Sequence, residues 1–497
     1  MSRTARRLTL WLTAAVLCAP SSGAERPNVV LILADDMGWG DLGCYNPESR
    51  IETPAMDRIA AQGIRLTDAH SPSAVCTPTR YGLLTGRYCW RSSLKSSVLL
   101  GFSPALIEPE RFTLADLFQQ AGYSTACVGK WHIGLDWTLR SGEPVTERYF
   151  RDGARIDFDL PFGGGPLELG FDYFFGCSAC ATTDPLYSFL EGDRTVGIPS
   201  EQWKGQSVEH PHQDDKNWRP GIATPGWKHE EVDPTFVGKA LAWVEEQASQ
   251  ERPFFLYLPL SAPHAPWLPP EITRGKSQEG PRGDMVAVVD WAVGEVVDAL
   301  DRLDLRENTL LIVTSDNGPR IGLNGHRSAG PWRGYKSHTW EGGHRIPFLA
   351  RWPGHIPKGA TSDEPVCLTD MLSSLATILG ESLPADAAED SYDVSPVLLG
   401  EEHESPIREA LVSHSVTGAF TIRQAQWKLI LGTRGSGGWV PPADSTRPVD
   451  MQLGQLFDLD ADPAEERDLF DQRPKVVARL RALLQSYRES GRSRPVR

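Results

Sequence analysis

The stretch Asn28-Val29-Val30-Leu31-Ile32-Leu33-Ala34-Asp35-Asp36 decides the fold. An unbroken apolar run from Val29 to Ala34, with no polar alternation, describes a strand covered on both faces. That is the habit of a parallel sheet flanked by helices, not of a hairpin with one wet side. Two acids then stand at the strand's carboxyl end. The same arrangement recurs along the chain: residues 124–129 lead into Lys130-Trp131-His132, residues 254–260 into Ser261-Ala262-Pro263-His264, and residues 310–314 into Ser315-Asp316-Asn317-Gly318. Open α/β sheets bind ligands at the carboxyl ends of their strands, so these ends predict one shared site.

Helical patterns alternate with the strands. Asp233-Pro234 offers an N-cap and a first-turn proline for a helix running to about Gln247. Met285, Val288, Val289, Ala292, Val296 and Leu300 mark one face of another. The alternation predicts an α/β fold with a large mixed, mainly parallel sheet between helices. Beyond residue 400 short apolar runs at 410–413, 420–423, 427–431 and 455–459 precede a basic, apolar-striped helix over 474–487. These predict a small C-terminal antiparallel α+β subdomain. A chain of 497 residues exceeds one core, and the expected division is a leader at 1–24, a catalytic body at 25–400 and the subdomain at 401–497.

The leader reading rests on Arg3, Arg6 and Arg7 before an apolar stretch from Leu8 to Cys18, then Ser22 and Ala24 ahead of a cut near Glu25. The stretch is too short to span a bilayer, and no later membrane span is found, so export to the periplasm or medium is expected. The net charge of −15 argues against nucleic-acid binding. It also means that an anionic substrate must be held by a local cluster of cations. Outside the leader seven cysteines remain, an odd number, and Cys177-x-x-Cys180, which has the spacing of a redox or metal-binding pair but no second cysteine pair and no thioredoxin-like context, reads rather as a local disulfide or two plain thiols.

The sharpest motif is Cys76-Thr77-Pro78-Thr79-Arg80 followed by Leu84-Thr85-Gly86-Arg87. Pro78 suits a first helical turn and places residue 76 at a helix N-terminus, where unpaired N–H groups favour an anion. Asp35, Asp36, Asp316 and Asn317 are hard oxygen donors suited to calcium and not to zinc. Cys-x-Pro-x-Arg with Leu-Thr-Gly resembles the signature of the formylglycine-dependent sulfatases, arylsulfatase-like members of the alkaline phosphatase superfamily. The Gly129–Gly134 segment with Lys130 and His132, Ala262-Pro263-His264, Ser315-Asp316-Asn317-Gly318, and Arg333-Gly334-Tyr335-Lys336 resemble further motifs of that family in the right order.

The resemblance implies an alkaline-phosphatase-like fold and hydrolysis of O-sulfate esters. It implies that a maturation enzyme oxidises Cys76 to formylglycine, whose hydrate is the nucleophile and passes through a sulfated covalent intermediate. It implies one Ca2+ held by Asp35, Asp36, Asp316, Asn317 and residue 76. Arg80, Lys130 and Lys336 would stabilise sulfate charge, His264 would protonate the leaving oxygen, and His132 would drive sulfate release. Asp316 would help to deprotonate the attacking hydroxyl. His326, in the loop between two motifs, suits a substrate contact, and His344 a structural turn. Trp203, Trp218, Trp227, His210 and His212 suit either stacking on sugar rings or packing of their own loop. The expected substrate is a sulfated small molecule or carbohydrate. The rival readings are a phosphate or phosphonate monoester hydrolase, a catalytically silent sugar-binding relative, and a competent scaffold left unmodified.

Overall fold

The computed structural model describes residues 26–205, 219–440, 443–444 and 449–495. The leader, Cys18, His210, His212 and Trp218 lie outside them. Strand β1 (Asn28–Ala34) is buried throughout and occupies the middle of the main sheet. It pairs in parallel with β4 (Phe254–Pro259) on one side and with β5 (Thr309–Ser315) on the other. Beyond β4 follow β2 (Ser124–Lys130) and β3 (Tyr173–Cys177), again parallel. Beyond β5, β6 (Phe348–Arg351) runs antiparallel, which makes the sheet mixed. Short strands such as Ile64–Leu66 and Leu190–Glu191 extend its edges.

Side chains alternate across β1, and each set finds its own layer. Val30, Ile32 and Ala34 join a core with Phe236 and Val237 of α2 (Val232–Gln247) and with Val288, Val289 and Val296 of α3 (Pro281–Arg302). Val29, Leu31 and Leu33 join the opposite core with Leu83 and Leu84 of α1 (Cys76–Thr85) and with Leu372 and Leu375. The sheet is therefore the central layer between helices, as the apolar runs predict. One expectation changes: Asp233 does not cap α2, which begins at Val232. Its carboxylate instead accepts from the backbone N–H of Ser261 at 2.7 Å and so braces the turn leading to His264.

The C-terminal sheet runs β7 (Leu411–His414), β8 (Phe420–Gln424), β9 (Trp427–Gly432) and β10 (Asp450–Asp458), all antiparallel. Helix α4 (Pro474–Glu489) covers it with Val477, Leu480, Leu484 and Tyr487. A buried charge ties this sheet to the main body: Lys428 of β9 meets Glu341 and Glu465, each at 2.9 Å.

Candidate active site

The carboxyl ends of β1, β2, β4 and β5 converge as the sequence predicts, and α1 points its N-terminus at them. Cys76 is the first residue of that helix and is buried. Its Sγ lies 3.4 Å from Asp35 Oδ1 and 3.5 Å from Lys336 Nζ. Lys336 also reaches Asp36 Oδ1 at 2.7 Å. Arg80, one turn into α1, donates through Nε and Nη2 to Asp316 Oδ2 at 3.0 and 2.8 Å, and through Nη1 to the Lys130 carbonyl at 2.7 Å. Lys130 pairs with Asp35. Gly129 before it has φ of 140°, and a Cβ there would sit 2.0 Å from the Pro259 carbonyl oxygen, so only glycine lets β2 and β4 close up at the site.

Three carboxylates, Asp35, Asp36 and Asp316, thus lie buried among Arg80, Lys130 and Lys336. Burial alone would raise the Asp35 carboxyl, but Lys130, His264, Arg80 and Lys336 outweigh it and hold it well below the usual carboxylate range. Asp316 goes the other way: burial, then the charge of Asp35, push it up to about 6. Burial and Asp35 push the Cys76 thiol well above its ordinary value, so as a plain cysteine it stays protonated and is a poor nucleophile. Asn317 donates its amide to Asp36 Oδ1 at 2.7 Å, while its Oδ1 is buried with no partner. An orphaned hard oxygen beside three carboxylates is what a cation such as calcium needs, so the donor set fits one. Asp36 and His132 both hold left-handed backbone, φ 74° and 61°, strain of the kind that collects at functional sites.

Two histidines face this cluster across a cleft of about 400 Å³. His132 Nε2 hydrogen-bonds the Leu99 carbonyl at 2.9 Å, and His264 Nδ1 the Ala265 carbonyl at 2.5 Å. Cys76, Lys336, His132 and His264 all line the cleft, together with Arg219, Arg320 and Trp439. All the candidate catalytic and metal-binding residues are thereby in one place.

The Sulfatase family model matches residues 27–381. The chain belongs to the sulfatase family. It is a sulfuric ester hydrolase with the alkaline-phosphatase-like architecture. N-acetylgalactosamine-6-O-sulfatase of Bacteroides thetaiotaomicron is 34% identical, with 94% of each chain covered. Arylsulfatase A of Homo sapiens is 33% identical over 94% of this chain and 89% of its own. A solved structure described under metabolism of multiple glycosaminoglycans by Bacteroides thetaiotaomicron superposes with a TM-score of 0.79 at 33% identity, covering 93% of this chain and 99% of that one.

Sequence reasoning on this sulfatase missed one cleft residue and misplaced another. Cys180 is not in a disulfide, and all seven described cysteines are free. Its Sγ accepts from Lys130 Nζ at 3.0 Å inside the cleft. Burial would raise this thiol, yet His264, Lys130 and His132 together hold it well below its ordinary value. The missed signal was β3, whose Cys177 pairs in register with Lys130, so the turn beyond it must end at the site. His326, expected at the substrate, is instead buried against Asp41 at 2.9 Å. Asp41 also takes two 2.7 Å bonds from Arg282 of α3, and this ion cluster draws His326 away from the cleft lining. Trp227 is buried against Phe189 and donates to His229 at 2.7 Å, and Trp203 packs near Tyr187, so both serve their own loop. His344 sits in a buried network with His70 and Lys428.

Proposed function

We propose that this sulfatase removes sulfate from a chain-terminal sugar, using formylglycine at residue 76 and a calcium ion held by Asp35, Asp36, Asp316 and Asn317. The observation that carries the reading is the placement of Cys76 at the α1 N-terminus, between a hard-oxygen cluster and Lys336, with two histidines opposite. Formylglycine supplies a hydrated aldehyde as nucleophile, and calcium supplies Lewis acidity toward a sulfate oxygen. The chain's own residues do the rest. Lys130, Lys336 and Arg80, with the helix N-terminus, hold the sulfate and stabilise charge as it shifts to the leaving oxygen. Asp316 accepts the proton of the attacking hydroxyl. His264 Nε2 donates to the leaving oxygen, and His132 Nδ1 takes the proton whose loss expels sulfate, so that water never attacks sulfur.

A cleft of about 400 Å³ is at the low end for small-molecule sites and suits a terminal sugar more than the middle of a polymer. The bacterial relative's activity makes 6-O-sulfated N-acetylgalactosamine the first substrate to try. Among the described residues no helix is long and apolar enough to cross a membrane, which fits an exported, released enzyme.

The test is release of sulfate by enzyme made with the maturation enzyme, across 6-O-sulfated hexosamines, an aryl sulfate and matching phosphate esters. The sugar sulfates should show the highest kcat/KM. Faster turnover of the phosphate esters would favour the phosphohydrolase reading instead.

A further inference from the structure

Cys180 brings to the cleft a donor that the sulfate chemistry above does not use. Its Sγ stands 3.7 Å from His264 Nε2 and 4.0 Å from His132 Nδ1. A tetrahedral zinc ion with bonds of roughly 2.3 Å to sulfur and 2.0–2.1 Å to nitrogen holds those atoms about 3.6 Å apart. The two observed separations are therefore already close to ligand spacing. Each imidazole engages a backbone carbonyl through its other nitrogen, His132 to Leu99 and His264 to Ala265. That orients His132 Nδ1 and His264 Nε2 toward the sulfur, where an ion would take the place of the proton that His264 otherwise carries, and it is the outer-shell arrangement that metal-binding histidines normally have. Lys130 donates to the same sulfur, which suits a thiolate. Asp184 brings a carboxylate oxygen within 4.8 Å of the His132 and Cys180 donor atoms and accepts from the Cys180 backbone N–H at 2.6 Å, while His264 Nε2 also stands 3.9 Å from Asp36 Oδ2 at the edge of the oxygen cluster. Cys180, His132, His264 and Asp184 all border the cleft, so an ion can reach them from solvent.

We propose that Cys180, His132 and His264, with Asp184 in the fourth position, form a binding site for a thiophilic divalent cation such as Zn2+, and that its occupancy switches the sulfatase off. The two metal sites sort ions by chemistry. Calcium takes hard oxygens and shuns sulfur and nitrogen, whereas one sulfur and two imidazoles select zinc-like ions. Occupancy would commit His132 Nδ1 and His264 Nε2 at once, leaving no proton carrier on either side of the sulfate. Inhibition would then be reversible by chelation and would not depend on displacing calcium.

Co2+, spectroscopically visible where zinc is silent, tests the site directly with full-length protein in excess calcium. Titration should produce a thiolate-to-cobalt charge-transfer band in the near ultraviolet with strong visible bands of tetrahedral cobalt, both bleached by added Zn2+. The bands should persist in Cys76→Ser and Cys177→Ser and vanish in Cys180→Ser. X-ray absorption of the zinc-loaded unsubstituted protein should show one sulfur near ~2.3 Å and nitrogen neighbours near ~2.0–2.1 Å. Bands that survive Cys180→Ser, no charge-transfer band at all, or an oxygen-only shell would overturn the proposal. None of these readings depends on catalytic turnover, so the outcome is independent of the substrate proposed above.

Discussion

Replacing Arg80 by methionine tests whether the site is a balanced buried charge cluster. Arg80 is fully buried and spends two donors on one oxygen of Asp316, at 3.0 and 2.8 Å. At an effective dielectric of about 20, unit charges this close attract by roughly 6 kcal/mol, and part of that offsets the cost of burying them. Arg80→Met keeps length and apolar bulk but strands the Asp316 carboxylate and leaves the Lys130 carbonyl without its donor. Breaking one side of a buried pair costs about 3–5 kcal/mol, a large share of the roughly 5–15 kcal/mol that holds a domain folded. Urea unfolding with a calcium chelator present should show that full loss. With saturating calcium the loss should shrink, because the cation takes over the charge that Arg80 supplied to Asp316. A loss below about 1 kcal/mol in chelator, or one that calcium does not alter, would refute the charge-balance reasoning.

Removing calcium from the unsubstituted enzyme should abolish turnover, and restoring it at about a hundred times its Kd should add about 2.7 kcal/mol of stability by calorimetry or urea unfolding. His264→Ala should lower kcat on sugar sulfates by about 10²–10⁴, and far less on an aryl sulfate whose leaving group needs no proton. Burial holds His414 at about 4 against an ordinary 6.5, so the unfolded chain takes up the proton first. Stability is then intact above about 6.5 and falls by about 1.4 kcal/mol per unit as pH drops toward 4. His414→Asn, which can keep the 3.0 Å bond to the Ser415 carbonyl, should remove that share of the acid slope in urea titrations. Lys428→Met takes from Glu465 its ion-pair partner among the described residues, while Glu341 keeps Arg345, and should destabilise the protein by about 3–5 kcal/mol, whereas Met substituted at solvent-exposed Lys358 should change stability negligibly.

The central sheet was legible because strands buried on both faces are written as unbroken apolar runs, and because charged or metal-competent residues stand within a few positions of the carboxyl end of four of them. Asp35, Asp36, Asp316 and Asn317 follow from that placement, whereas Cys76 at a helix N-terminus was legible only through its Cys-x-Pro-x-Arg motif and the family resemblance. β6 was not legible: Phe348-Leu349-Ala350-Arg351 is too short to separate from any apolar patch, and it joins antiparallel through contacts distant in sequence. Cys180 escaped for a related reason. Its place depends on the β2–β3 register, which pairs Lys130 with Cys177 across residues distant in sequence and is not written in either segment alone. His326 lies in a loop between two motifs, a position that says nothing about which way its side chain turns. The pull of Asp41 and Arg282, residues 241 positions apart, is invisible in local sequence.

The chemistry of residue 76 decides whether the proposed mechanism operates. Mass spectrometry of the tryptic peptide spanning residues 66–80, from protein made in a host with the maturation enzyme, reads it directly. The expected result is an aldehyde in place of the thiol, in step with sulfatase activity. An intact cysteine in fully active enzyme would contradict it.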